Sequence, residues 1–190
     1  MREIYSLKKQ AEITDQILVE RLNTILKDTM EETGIDTWLL VSKEYCEDPM
    51  FKLLTPCSFL TARRITILIL HNNGETLEKY CCNGSYEDLE TIYTNVWTDK
   101  SKDQYKALDD FLHTLDIKKI GLDFSNSYAY FDGLSKSLYD TFKEKLSADI
   151  CDKFVSAEQL GILYTEKRSA LELPFLFLPV LHQYRLCILN

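Results

Sequence analysis

The segment RITILILHNNGETLEKYCC, residues 64–82, decides the fold class because it joins two predicted strands through a tight turn. Residues 65–70 form an apolar, β-branched run that is too short to favour a helix. The Asn-Asn-Gly sequence at 72–74 tolerates the positive φ angles of a hairpin turn, so the chain is expected to return as a strand through residues 75–82. At least one pair of strands in the sheet is therefore antiparallel.

Helices and strands alternate on both sides of this hairpin. Residues 14–34 place apolar side chains at helical spacing, with Thr14 or Asp15 as the expected N-cap and Gly34 as a left-handed C-terminal residue. The apolar run at 38–41 follows closely and is typical of a strand that is covered on both faces.

The second half of the chain continues this alternation. Helices are predicted within residues 101–115, 131–146 and 156–173, and strands within residues 118–125 and 152–155. Asp132 and Ser156 are the expected N-caps of the last two helices, and residues 85–96 are compatible with a further short helix. Helix–strand alternation with one hairpin predicts an α/β fold in which helices flank a mixed sheet.

Length and charge limit the classes of function. A chain of 190 residues suits one domain, and it can bury a core without disulfides or metals. The net charge of −8 and the lack of a basic stripe with interleaved aromatic residues argue against nucleic-acid binding.

Cysteine placement and hydropathy suggest a cytoplasmic protein without a membrane span. Two of the six cysteines are adjacent, and no pair is separated by the two residues that are typical of zinc ligands. The first 15 residues are too polar for a signal peptide, so free thiols in a reducing cytoplasm are expected. The apolar C-terminal stretch is interrupted by Pro179, His182, Gln183 and Arg185, which argues against a transmembrane helix.

No catalytic signature is present in the sequence. There is no nucleophile elbow and no phosphate-binding loop with a lysine, and His71, His113 and His182 each stand without a metal-binding pattern. No catalytic or metal-ligating residue is therefore assigned. A stand-alone enzyme that uses a cysteine or aspartate is an alternative without a motif behind it.

The loop at 43–64 supplies the candidate contact residues. It is acidic and aromatic, and it ends in two arginines next to a buried strand, a place where loops often carry function. Tyr45, Arg63 and Arg64 are the candidates, because arginine can hold a partner's or a peptide's carboxylate in a forked pair of hydrogen bonds. The alternative is that the arginines form surface salt bridges or solvate the end of a strand.

Extended segments of the chain resemble the N-terminal domain of the creatinase, prolidase and aminopeptidase P superfamily. The resemblance covers residues 15–173 and contains no catalytic motif. It is carried by IDTWLLVSKEYCEDPMFKLLTP at 35–56, FLTARRITILIL at 59–70, KKIGLDFSNSYAYFDGLSKSLYDTFKEKL at 118–146 and DKFVSAEQLGILYTEKRSALEL at 152–173.

The resemblance implies a three-layer ribonuclease H-like α/β domain with a mixed sheet. In complete members this domain supplies dimer contacts and part of the active-site wall. A second, "pita-bread" domain binds two Mn, Co or Zn ions and cleaves Xaa-Pro bonds. The resemblance therefore implies a non-catalytic module without a cofactor of its own, which pairs with itself or with a full-length family member. The alternative is membership of a peptidase family whose activity needs that second domain.

Three regions are expected on this basis: a lead at 1–14, the creatinase-type domain at 15–173 and an atypical apolar tail at 174–190. Residues 165–173 are expected to continue as a helix, and Pro174 and Pro179 then break the pattern, which suggests a truncated product. The tail must pack on the domain, bind a partner or promote aggregation. Its deletion is expected to leave the fold intact and to improve solubility.

Overall fold

The computed structural model describes residues 5–84 and 87–175 of the chain. The first helical segment consists of α1 (Leu7–Arg21), a π-helical turn (Leu22–Leu26) and α2 (Lys27–Thr33). Its N-cap is Ser6, whose hydroxyl accepts a hydrogen bond from the backbone N–H of Lys9 at 3.3 Å. The prediction of Thr14 or Asp15 as the cap is wrong, because the helix extends two turns beyond its apolar face.

Gly34 ends α2 as predicted. Its φ of 65° is left-handed, and the N–H of Ile35 donates to the carbonyl of Met30 at 3.2 Å. This turn reverses the chain directly into the first strand, so it sets how the helix lies on the sheet.

Replacing Gly34 with alanine should lower the free energy of unfolding by about 1 kcal/mol, because a Cβ disfavours the left-handed conformation. Urea denaturation measures the change. The control is Gly84→Ala, since Gly84 does not have a positive φ and its added Cβ would meet nothing closer than 3.8 Å. Equal destabilisation by the two substitutions would contradict the conformational explanation.

The described strands form one six-stranded mixed sheet in the order β4-β3-β2-β1-β5-β6. The strands are β1 (Thr37–Lys43), β2 (Ile65–Asn72), β3 (Leu77–Cys82), β4 (Thr94–Asn95), β5 (Ile120–Leu122) and β6 (Phe154–Ser156). The first three pair antiparallel, β5 pairs parallel with both β1 and β6, and β4 pairs parallel with β3. The predicted hairpin and the α/β class with a mixed sheet are confirmed.

In the part of the chain that the structure describes, β1 is followed by further helical elements. They are α3 (Phe51–Leu54), α4 (Gln104–Leu112), a 3₁₀ turn (Ala129–Phe131), α5 (Lys136–Lys145), α6 (Ala148–Cys151) and α7 (Glu158–Glu166). The N-cap of α5 is Ser135, not Asp132, and that of α7 is Ala157, although the Ser156 hydroxyl accepts from the Glu158 N–H at 3.1 Å. Residues 87–92 form turns rather than a helix, and they lead into β4.

Helices cover both faces of the sheet. Side chains alternate along β1: Trp38 and Leu40 pack with the first helical segment, α3 and α7, whereas Leu39 and Val41 pack with α4, α5 and α6. All four are almost completely buried. Because β1 also has a hydrogen-bonded neighbour on each edge, it is the central strand of the domain.

A buried arginine explains why α7 ends at Glu166 instead of continuing through residue 173. The guanidinium of Arg21 donates to the carbonyls of Tyr164 and Lys167, and it pairs with the carboxylate of Glu172 at 2.6 Å. These bonds satisfy carbonyls at the helix end and turn the chain back along α1. The predictions for the tail concern mainly residues 176–190, which lie outside the described residues.

In the described part of the chain, no helix is both long enough and apolar enough to cross a membrane. The five described cysteines, Cys46, Cys57, Cys81, Cys82 and Cys151, are free thiols.

Candidate functional site

The loop between β1 and β2 presents the predicted contact residues at one end of the central strand. A tight turn forms where the backbones of Lys43 and Cys46 exchange hydrogen bonds of 2.8 and 3.3 Å. Tyr45 at its tip has a φ of 65° and is 92% exposed. The N–H of Glu44 donates to the carbonyl of Arg64 at 2.7 Å, so the structure brings the two ends of the loop together.

Arg64 shares the unusual backbone conformation of Tyr45, with a φ of 52°. No other described residue apart from glycine has a positive φ. Left-handed conformations of such residues are costly, and they concentrate at sites where the surroundings impose them for function. Both strained residues were candidates from the sequence, although no residue pattern indicated the strain.

The inner side of the loop is fixed by the core. Phe51 and Leu54 of α3 are fully buried, and the ring of Phe51 packs on that of Phe59 with centroids 5.6 Å apart. Glu47 accepts hydrogen bonds from the Thr61 hydroxyl and the Ala62 N–H, which closes the loop across its width. The exposed face is therefore displayed on a rigid support rather than on a free loop.

Relieving the strain should stabilise the protein. Glycine at position 45 or 64 removes the penalty of about 1–2 kcal/mol that a residue with a Cβ has in the left-handed conformation. It also loses more backbone entropy on folding, which costs about 0.5–1 kcal/mol. Tyr45→Gly and Arg64→Gly should therefore each raise the free energy of unfolding by about 0.5–1 kcal/mol in chemical denaturation.

The neighbouring Arg63 provides the matched control, because it does not have a positive φ. Arg63→Gly should lower stability by about 0.5–1 kcal/mol. If Arg64→Gly destabilised the protein as much as Arg63→Gly, the backbone at Arg64 would not be under strain.

The two candidate arginines lie free on the surface. Both are exposed, and neither guanidinium forms an ion pair with another described residue. They line a shared cavity of about 500 Å³ together with Trp97, which comes from the segment after β4. The alternative interpretation, in which they serve as surface salt bridges, has no partner carboxylate within the described residues.

A buried pair of carboxyl groups, missed in the sequence, lies beneath the same loop. Asp48 follows β1 and Asp123 follows β5, and they are 2% and 3% exposed. The N–H of Met50 donates to Asp48 Oδ1 at 2.8 Å, and the indole N–H of Trp38 donates to Asp123 Oδ1 at 2.6 Å. Neither Oδ2 has a hydrogen-bond partner while both groups are ionised, so a proton held between the two neighbouring carboxyls is needed to pair them.

Burial without a cation makes these groups weak acids. Loss of solvation raises the pKa of Asp48 to about 6. It raises the pKa of Asp123 well above its ordinary value, and the nearby Asp48 charge raises it further. Asp123 therefore holds the shared proton and donates it to Asp48, which fixes the loop after β1 to the loop after β5.

Gly133 is required beside this pair. A Cβ at this position would lie 2.0 Å from Asp48 Oδ2, well inside the contact distance of the two atoms. The sequence signal for the pair was present but indirect. Each aspartate closely follows a predicted strand, yet only the parallel pairing of β1 with β5 shows that the two loops meet.

The buried pair of Asp48 and Asp123 sets the direction in which the free energy of unfolding changes with pH. The folded state binds protons more tightly than the unfolded chain, whose aspartates titrate near about 4. The free energy of unfolding should therefore fall as the pH rises above about 4, and it should continue to fall beyond about 6, where Asp48 loses its proton, because Asp123 keeps its proton to a higher pH. Denaturant titrations at intervals across this range measure the slope.

In the Asp48→Asn variant, the free energy of unfolding should fall less steeply as the pH rises. Its amide donates to Asp123 Oδ2 without titrating, so stability at pH 7 should rise by at least about 1 kcal/mol. The control is Asp140→Asn at an exposed position of α5, which should keep the wild-type slope. An unchanged slope in the Asp48 variant would show that the two carboxyls do not share a proton.

The histidines take structural positions where they are described. The ring Nδ1 of His71 lies 2.9 Å from the buried Thr37 hydroxyl, and Nε2 of His113 lies 3.1 Å from Asp149 Oδ2. Within residues 5–84 and 87–175, no group of three or more His, Cys, Asp or Glu side chains is arranged to hold a metal ion.

Comparison with models of known protein families and with curated proteins found no match to this chain.

Proposed function

We propose that the chain is a non-catalytic α/β module of the creatinase N-terminal type, with a ribonuclease H-like fold. In this proposal it contacts a second copy of itself or a full-length Xaa-Pro peptidase of that superfamily through the loop between β1 and β2. The observation that carries the proposal is the exposed Tyr45, which is held in a strained conformation on a rigid base, beside two arginines that have no ion-pair partner among the described residues.

The architecture supports the fold assignment. An antiparallel set of three strands continues into two parallel strands, with helices on both faces, and this is compatible with a three-layer α/β domain. The four segments that carry the resemblance contain β1, most of β2, β5 and β6, whereas β3 and β4 lie outside them. In particular, the segment at 35–56 contains β1 and α3, and the segment at 59–70 contains most of β2.

The chemistry of the loop suits a protein partner. Tyrosine and arginine are the residue types that most often dominate binding energy in interfaces, because they combine large contact areas with directional hydrogen bonds. Leu60 extends this surface, since it is 75% exposed on the same loop. A prearranged loop also loses little conformational entropy when a partner binds.

Size-exclusion chromatography with light scattering tests the proposal. The chain is run alone and then mixed with a full-length aminopeptidase P or prolidase. We expect a dimer or a mixed complex whose dissociation constant rises about tenfold or more with Tyr45→Ala or Leu60→Ala. Leu7→Ala is the matched control, because Leu7 is 83% exposed at the start of α1.

If the chain stays monomeric alone and forms no complex with the full-length peptidase at about 100 μM, the proposed contact is contradicted. Functional interfaces of standard size have dissociation constants below this concentration. Equal weakening by Leu7→Ala would place the contact elsewhere on the surface.

An activity assay tests the non-catalytic part of the proposal separately. The purified chain is incubated with a Xaa-Pro dipeptide and Mn²⁺, and the products are followed by chromatography. We expect no turnover above the buffer blank. Hydrolysis that persists through purification and stops when a chelator is added would instead assign a peptidase activity to this chain.

A further inference from the structure

The cavity next to the two arginines has the features of a small-molecule site. It holds about 500 Å³, within the range of ligand pockets, and it lies where β2 begins and β3 ends. The lining residues that matter for binding are Glu44, Arg63, Arg64, Trp97 and Gln104.

The floor of the cavity is rigid. The side-chain amide of Gln104 donates to the carbonyl of Ile65 at 3.1 Å and to that of Cys82 at 2.7 Å, which ties β2 to β3. Behind it, Asn95 Nδ2 donates to the carbonyl of Asn83 at 2.9 Å. A cavity fixed in this way does not have to be ordered when a ligand enters, so more of the contact energy appears as affinity.

The charge at the cavity is opposite to that of the whole protein. The chain carries a net charge of −8, yet two arginines without ion-pair partners among the described residues line this space. Lys100 adds a third positive charge nearby, and it is held in place. Its ammonium lies 4.2 Å from the centroid of the Trp97 ring and donates to the carbonyl of Asn83 at 2.8 Å.

We propose that this cavity binds a small organic carboxylate with a flat apolar body. The guanidinium groups offer forked donors that match a carboxylate, and the indole of Trp97 offers an apolar wall for the body of the ligand. Glu44 contributes one negative charge to the lining.

This inference does not rest on the proposed function, because the cavity belongs to the single chain and needs no partner. The cavity is also separate from the exposed side chains of Tyr45 and Leu60, because neither of them lines it.

Nuclear magnetic resonance titration of the full chain tests the proposal. The reporter is the indole N–H of Trp97, which donates to the carbonyl of Lys102 at 3.0 Å and so has a distinct resonance. The other tryptophan, Trp38, is buried and serves as an internal reference. The probes are benzoate, phenyl phosphate and benzamide, which share a ring but differ in charge and in the shape of the polar group.

We expect benzoate to shift the Trp97 resonance saturably and to bind about tenfold or more tightly than uncharged benzamide. Phenyl phosphate is the comparison that separates a carboxylate site from a general oxyanion site. Equal affinity for benzoate and benzamide, or no shift with any probe, would overturn the proposal. Tighter binding of phenyl phosphate than of benzoate would overturn the assignment of the ligand as a carboxylate.

Substitutions locate the binding site. Arg63→Ala and Arg64→Gly should each weaken benzoate binding about tenfold, and the glycine at position 64 also suits the backbone conformation there. Arg168→Ala, at an exposed arginine that does not line this cavity, is the matched control and should leave the affinity unchanged. Retained affinity in both cavity variants, with their folds intact by the dispersion of the spectrum, would place benzoate elsewhere.

Discussion

Burial of β1 from Thr37 to Ser42 imposes the layered arrangement of this fold. The strand has a helical layer on each face and a hydrogen-bonded strand on each edge, antiparallel on one side and parallel on the other. Trp38, Leu39 and Leu40 are each at most 1% exposed. An apolar strand of this kind is stable only if helices cover both sides, so its composition requires the layered arrangement.

The position of the proposed contact surface follows from where β1 ends. Beyond Lys43 the chain leaves the core, and the loop has to return to β2 beside it in antiparallel register. Backbone pairing of Glu44 with Arg64 closes this loop, and α3 anchors its inner side. Tyr45 and the arginines are consequently displayed at a fixed place, while the buried aspartates fasten the same loop to the neighbouring parallel strand.

Sequence patterns predicted the features that depend on local chemistry. The Asn-Asn-Gly turn, the left-handed Gly34 and the buried run of β1 each have a direct physical signature over a few residues. Helix starts were less predictable. The polar first turns of α1 carry no apolar periodicity, and Ser135 competes with Asp132 for the same capping role.

Long-range features could not be read from the sequence. The contact between Asp48 and Asp123 joins residues 75 positions apart in the chain, and it exists only because β5 pairs with β1. Likewise, the hydrogen bond from Arg21 that helps to end α7 joins residues more than 140 positions apart in the chain. The cavity at the arginines depends on Trp97, whose position follows from the short edge strand β4, which the sequence did not predict.

Residue-resolved native-state hydrogen exchange tests the central claim, that a fully buried strand rigidly supports the loop that follows it. The N–H groups of Trp38 and Leu40, which point towards β2, should exchange only through global unfolding, with opening free energies equal to that from denaturant titration. The N–H of Glu44, bonded to the Arg64 carbonyl, should also be strongly protected. Exchange of Glu44 at the rate of an unstructured peptide, with β1 still protected, would contradict the claim, because the loop would then be free of its support.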